Sequence, residues 1–222
     1  MRDRIELAGM VIKSTSVGEY DKRLVILTRE RGRITAFARG AKRPGNSLMG
    51  PSRPFAFGIF KLLEGREAYN LQGAEISQYF EELVMDMEGA CYGQYFLEFG
   101  EYYSRENLNG EAMLLLIYQS LRALLKPNIP NPLIQRVFEL KAMVLNGEYT
   151  EHPPKPVCDS AAYTWEYVTV SPIEKLYTFV VTAEVFEEFK QCVEINKQRY
   201  VDREFHSLEI LKALQQGLSV KG

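Results

Sequence analysis

Little in this chain provides for catalysis, metal binding or a covalent framework. Three of its 222 residues are cysteine, Cys91, Cys158 and Cys192, odd in number and far apart. That excludes a disulfide scaffold and fits a reducing compartment. There are two histidines, His152 beside Pro153 and His206 within REFHSLEIL, and neither accompanies a nucleophile and an acid in a recognisable spacing. No Walker loop, His-Glu-x-x-His or Gly-x-Ser-x-Gly string occurs, and Gly40-Ala41-Lys42 lacks the flanking glycines and the Ser/Thr of a phosphate loop. A structural zinc wants four ligands, usually from paired Cys-x-x-Cys; the position that would complete a pair after Cys158 is Ala161. No enzyme, metal, cofactor or small-molecule substrate is expected. Uninterrupted apolar runs of about 18 residues are also missing, and MRDRIELAGM lacks a signal-peptide core. The expectation is therefore a cytoplasmic protein with no membrane partner.

What the chain does have is charge sorted by position. The net charge is only −2, yet residues 1–75 hold 14 Lys+Arg against 8 Asp+Glu, while the remainder hold 13 against 21. Between Lys22 and Arg53 nine cations (Lys22, Arg23, Arg29, Arg31, Arg33, Arg39, Lys42, Arg43 and Arg53) face one acid, Glu30. A basic N-terminal part suits a polyanion, and an acidic C-terminal part suits solvent or a protein. Ordinary solvation of a strand pair gives the same charge pattern.

With 46% hydrophobic residues, the chain can bury one large core or two modest ones. Ile5–Lys13 reads as a first strand with a bulge or bend at Gly9, Ser14–Glu19 as a turn, and Arg23–Thr28 as a buried strand. Arg29-Glu30-Arg31-Gly32 then makes a hairpin. From Arg33 to Arg39 the chain alternates, with Ile34, Ala36 and Ala38 on one face and Arg33, Thr35, Phe37 and Arg39 on the other. Cations beside a flat ring suit single-stranded nucleic acid, although a structural Phe packed under a loop explains Phe37 equally well. Residues 40–54, with three glycines and three prolines, predict a long, basic, mobile loop. Strands at Phe55–Leu63 and Glu67–Ile76, joined by a turn at Gly65, complete five. That number fits a barrel of the OB type or an SH3-like one.

From Tyr79 the period lengthens to a helical one. A stripe from Phe80 to Tyr102 predicts one helix. Glu111–Lys126 is apolar over most of its circumference and is expected at the centre of a helical core. A third helix starts with Asn131 as N-cap and Pro132 in the first turn and ends at Gly147. Residues 148–157 form a proline linker. Asp159-Ser160 caps a helix carrying Trp165, unless YTWEYVTV is a strand. Helices at Thr182–Tyr200 and Ser207–Gln216 follow.

VGEYDKRLVILTRERGRITAFARGAKRP near the start and REFHSLEILKAL near the end resemble the RecO family of bacterial recombination mediators. The first string carries the likeness more specifically: the turn with Gly18, Glu19 and Asp21, the Thr28-to-Gly32 hairpin and the Ala38-Arg39-Gly40-Ala41 loop follow one another in the family's order. The resemblance implies an N-terminal OB barrel over 1–78 and a helical domain over 79–222. It further implies binding of single- and double-stranded DNA, annealing of complementary strands in repair and recombination, and help in loading recombinase onto strand coated by single-strand binding protein. The implied partners are RecR, the C-terminal tail of single-strand binding protein and, indirectly, RecA, with nucleoid association. Many similar chains carry a four-cysteine zinc ribbon where this one keeps a proline linker and Cys158, so no zinc is inferred. A non-catalytic adaptor whose basic barrel binds an acidic protein would carry the same charge pattern.

Overall fold

In the computed structural model, which describes residues 4–219, five strands open the chain: β1 (Arg4–Val17), β2 (Asp21–Thr28), β3 (Gly32–Ala38), β4 (Phe57–Leu63) and β5 (Tyr69–Gln78). They pair in the order β1-β2-β3-β5-β4 and close on themselves. The closure is possible because β1 is long enough to serve two neighbours, Arg4–Met10 against β4 and Gly9–Val17 against β2. The remaining seam is a short parallel contact of β3 with β5. This ring is that of the OB type, and the strand order decides against the SH3-like alternative.

Ser14–Val17, expected as a turn, continues β1, since each of these residues has a partner on β2. The irregularity in β1 lies between Val11 and Lys13 rather than at Gly9. Gly9 answers a different demand: it pairs with both Thr28 and Gly58, and a Cβ there would stand 2.6 Å from the Leu27 carbonyl oxygen. β4 starts two residues later than expected, because Phe55 takes φ 70° and is buried. β5 likewise begins at Tyr69 instead of Glu67.

Residues 40–54 are irregular but not a free loop. Consecutive turns are tied by backbone bonds such as Arg43 N–H to Gly40 O, Met49 N–H to Asn46 O and Ser52 N–H to Leu48 O. Ala41 and Leu48 enter the barrel core beside Leu24, Ile26, Ala36 and Phe60. Burial of those apolar side chains outweighs the freedom that glycine and proline content suggests.

Among the described residues seven helices follow: α1 (Glu81–Met85), α2 (Met87–Tyr103), α3 (Glu111–Leu124), α4 (Asn131–Leu145), α5 (Asp159–Val170), α6 (Ala183–Tyr200) and α7 (His206–Ser219), with a 3-10 turn at Ile173–Lys175. The chain forms two compact units. One runs up to Glu81 and includes Leu97–Leu114; the other comprises Glu82–Phe96 and everything from Leu115 onward. Within the first, the β2–β3 hairpin is clasped by residues 105–110. Arg33 N–H donates to Arg105 O, Asn107 N–H to Arg31 O and Gly110 N–H to Arg29 O. Gly32 lies under this clasp at φ 60°, where a Cβ would be 2.2 Å from the Arg105 oxygen.

The single helix expected from Phe80 is broken at Asp86, whose carboxylate accepts the Gly89 N–H at 3.0 Å and restarts the chain as α2. Asn131 is inside α4 and Pro130 is its uncapped N-cap. At the other end Gly147, at φ 73°, closes α4 as expected, with bonds from Gly147 N–H to Val144 O and Glu148 N–H to Met143 O. The most enclosed helix is α4, not α3. Its polar Gln135, Glu139 and Lys141 are buried along with its apolar residues, because each finds a partner. Glu139 accepts from Tyr95, Gln135, Arg136 and Lys197. Lys141 Nζ donates to the carbonyls of Thr169 (2.9 Å) and Ser171 (2.6 Å) at the end of α5. YTWEYVTV is helical: Ala161, Thr164, Trp165 and Val168 are buried at helical spacing, and the Trp165 indole donates to Thr150 O at 3.1 Å. Cys158, not Asp159 or Ser160, occupies the N-cap position.

Candidate nucleic-acid interface

Along β2 the residues alternate inward and outward. Leu24 and Ile26 are fully enclosed, and Lys22 continues their inward-facing row where the barrel opens. Its ammonium group is pushed below the ordinary lysine pKa, first by desolvation and then by the nearby charges of Arg53 and Lys42. Three cations from two segments therefore converge without an acid among them.

The segments are fastened together. Lys42 N–H donates to Tyr20 O at 2.9 Å, Gly40 N–H donates to the Asp21 carboxylate at 2.7 Å, and the Arg43 guanidinium lies over the Tyr20 ring, 4.6 Å from its centroid. This fastening turns the sequence-distant Lys22, Arg39, Lys42, Arg43 and Arg53 into one end of the barrel. On the outer face Arg23 stands opposite Phe37, with Thr15 on Arg23's other side and Asn70 beside Phe37. Phe37 is half-buried. None of the six cations Lys22, Arg23, Arg39, Lys42, Arg43 and Arg53 has a carboxylate within ion-pair distance among the described residues.

The other three are placed differently. Arg29, Arg31 and Arg33 sit around the hairpin, about 20 Å along the strands from Lys22 by strand rise. Each has an acceptor. Arg29 pairs with Glu30 (3.0 Å), an exposed pair of small energetic worth. Arg31 holds Glu64 (2.9 Å) and the Tyr69 hydroxyl (2.7 Å), and Arg33 reaches the Glu101 carbonyl (3.3 Å). Phe37 consequently has Arg39 two residues away on its own face but Arg33 four residues away and engaged. The strand pattern makes Arg33 and Arg39 equivalent, and the clasping segment around residues 101–110 separates them.

In the helical unit a groove of about 340 Å³ is lined by Arg136, Lys190, Lys197 and Lys212 together with Phe186, Leu208 and Leu211. Arg136 bridges the buried Glu139 and the half-exposed Glu194. Burial opposes the charge on Glu139, but Arg136, Lys197 and the Tyr95 hydroxyl overcome it and hold its pKa at about 2. Lys212 stands on the rim, where Lys190 pairs with the exposed Glu187 at 3.2 Å. Sequence reading did not locate this groove; the signal available was the run Phe186, Lys190, Glu194, Lys197 at helical spacing on α6. Among the described residues no group of three or more potential metal-ligating side chains forms, and no helix is long and apolar enough to cross a membrane.

Comparison with known proteins bears on the same regions. The family model described as Recombination protein O N terminal matches residues 1–80, which contain the whole barrel. The DNA repair protein RecO of Alkaliphilus metalliredigens is 33% identical over 143 residues, 64% of this chain and 58% of that protein. RecO of Symbiobacterium thermophilum is 35% identical over 63% of this chain and 55% of its own length. RecO of Acetivibrio thermocellus is 21% identical but aligned over 95% of this chain and 97% of its own. The matched part thus spans little more than half of the first two relatives and nearly all of the third. With an OB-type ring under the segment that matches the Recombination protein O N-terminal model and a likeness that runs on through the helices, the chain is similar to RecO proteins over most of its length.

Proposed function

We propose that the chain is a DNA-binding recombination mediator that works in repair by bringing complementary single strands together, without a covalent step. The observation that carries this reading is a set of six cations with no ion-pair partner among the described residues, five at one end of the barrel and Arg23 beside Phe37 on its outer face, with Lys22 partly desolvated among them. A phosphate backbone relieves that repulsion, and release of its counterions supplies the driving force. Phe37, beside Arg23 and Arg39, offers a face for a base, and Tyr20, already stacked under Arg43, braces the loop. Residues 1–78 serve as the DNA-binding domain and 79–222 as the part that docks proteins, RecR among them, with RecA reached indirectly. The setting is the cytoplasmic nucleoid.

The acidic, apolar-ended tail of single-strand binding protein fits the cation-rimmed groove of α6 and α7: Lys190 and Lys212 face its carboxylates, and Phe186, Leu208 and Leu211 receive its apolar end. The test is strand annealing of complementary oligonucleotides, bare and coated with single-strand binding protein, at two salt concentrations. Arg39→Gln with Lys42→Gln and Arg43→Gln should slow annealing on both substrates. Lys190→Glu with Lys212→Glu should slow it on coated strands alone. Equal behaviour of the two variants on both substrates would refute the division of labour. An adaptor that binds an acidic protein through the barrel predicts no competition by short single-stranded DNA.

A further inference from the structure

The helix that borders the cationic groove also borders a second one. From α6, Phe186 and Lys190 line the first, while Thr182 and Val185, at the start of the helix, line an open groove of about 600 Å³. Its walls are Tyr163 and Tyr167 of α5 and the segment Phe179-Val180-Val181, and Tyr167 meets Phe179 edge-on with ring centroids 5.2 Å apart. Tyr163 is 68% exposed and Val180 59%, and Val170, two turns along α5 from Tyr163, is 73% exposed. Large apolar side chains left this open in water around one groove mark a contact surface.

Its charge is the opposite of its neighbour's. Asp159 lines the groove, Glu184 precedes Val185 in the first turn of α6, and Glu166 lies three residues from Tyr163 on exposed helix. None of these three carboxylates has an ion-pair partner among the described residues. Helix N-termini favour acids and account for Asp159 and Glu184, but not for Glu166 in mid-helix. The other charges on these elements are engaged or stand apart. Lys190 pairs with Glu187 (3.2 Å), Glu188 accepts the Cys158 N–H (2.7 Å), and Glu174 and Lys175 occupy the exposed 3-10 turn beyond Tyr167.

We propose that this groove docks a basic amphipathic segment of a partner protein, its apolar residues against Tyr163, Tyr167 and Val180 and its lysines or arginines against Asp159, Glu166 and Glu184. The site belongs to the helical unit and is opposite in sign to the cationic groove, so one helical unit holds two partners of contrary charge on either side of α6. A helix-in-groove contact of this kind places alternating turns of the partner over an apolar strip.

The experiment titrates a fluorescently labelled leucine–lysine peptide of helical period with the full chain and measures anisotropy. The lysine peptide should bind, and the same peptide with glutamate for lysine should not. Tyr163→Ser with Val180→Ser, both at exposed positions, should weaken binding by roughly tenfold or more. Asp159→Asn with Glu184→Gln should weaken it and flatten its salt dependence. DNA binding of all these variants should match the parent, so failure of this proposal is distinguishable from failure of the DNA-binding reading. Unchanged binding by the Tyr163/Val180 variant, or equal affinity for the glutamate peptide, would overturn the proposal. So would sedimentation showing that the parent self-associates through this face and that Val180→Asp abolishes it, which assigns the groove to a second copy of the chain.

Discussion

Salt dependence offers the most direct test of how the barrel's cations divide. Six of them lack a carboxylate partner and three around the hairpin have acceptors. Each phosphate neutralised releases counterions worth about 0.7 in log–log slope for single strands and about 0.9 for duplex. If the six engage phosphates, the slope of log affinity against log salt is roughly −4 for single strands and −5 for duplex. Replacing Arg39, Lys42 and Arg43 together by Gln should make the single-strand slope shallower by about 2 and weaken binding to all sequences alike. Replacing Arg29, Arg31 and Arg33 by Gln removes the same formal charge, but those groups already hold Glu30, Glu64 with Tyr69, and the Glu101 carbonyl. Their loss should change the slope by less than about 1. Fluorescence titration of a labelled oligonucleotide over a range of salt concentrations measures both. A hairpin variant whose slope falls as far as that of the loop variant would refute the assignment of the binding face.

Phe37→Ala should cost single-strand binding about 1–3 kcal/mol with a smaller effect on duplex, since only unpaired bases offer a free face; equal losses in a direct binding comparison would make Phe37 a packing residue. Glu139, fully buried with its pKa lowered from 4.5 to about 2, contributes stability that is complete above about pH 4.5 and lost as pH falls towards 2, on the order of 3 kcal/mol. Urea unfolding at neutral and acidic pH should show this loss in the parent. Glu139→Gln, which leaves Lys197 without its carboxylate and Arg136 with Glu194 alone, should be destabilised by about 3–5 kcal/mol at neutral pH. Gly32→Ala meets both a positive φ and the Arg105 and Leu108 carbonyls at 2.2 and 2.6 Å, so thermal unfolding should reveal a loss of at least about 2 kcal/mol.

Much of this architecture was legible in the amino-acid sequence because it rests on local periodicity. The alternation at residues 33–39, the change of period near Tyr79 and the glycine after α4 are all properties of neighbouring residues, and the structure reproduces each of them. Where a choice turned on distant partners, periodicity was silent. Ser14–Val17 is strand only because β2 lies alongside, residues 40–54 hold their turns because Ala41 and Leu48 reach the barrel core, and α4 buries Glu139 and Lys141 because other helices bring them partners. The same limit governs the site. Composition assembled nine cations into one list, but charge has no address until the chain folds: Arg29 meets its sequence neighbour Glu30, whereas only tertiary contacts give Arg31 to Glu64 and Arg33 to the Glu101 carbonyl and leave the other six without an acceptor among the described residues. Apart from the run Phe186, Lys190, Glu194, Lys197 on α6, the two grooves beside that helix belong to the tertiary level, since each is made of residues from helices and turns that sequence distance keeps apart.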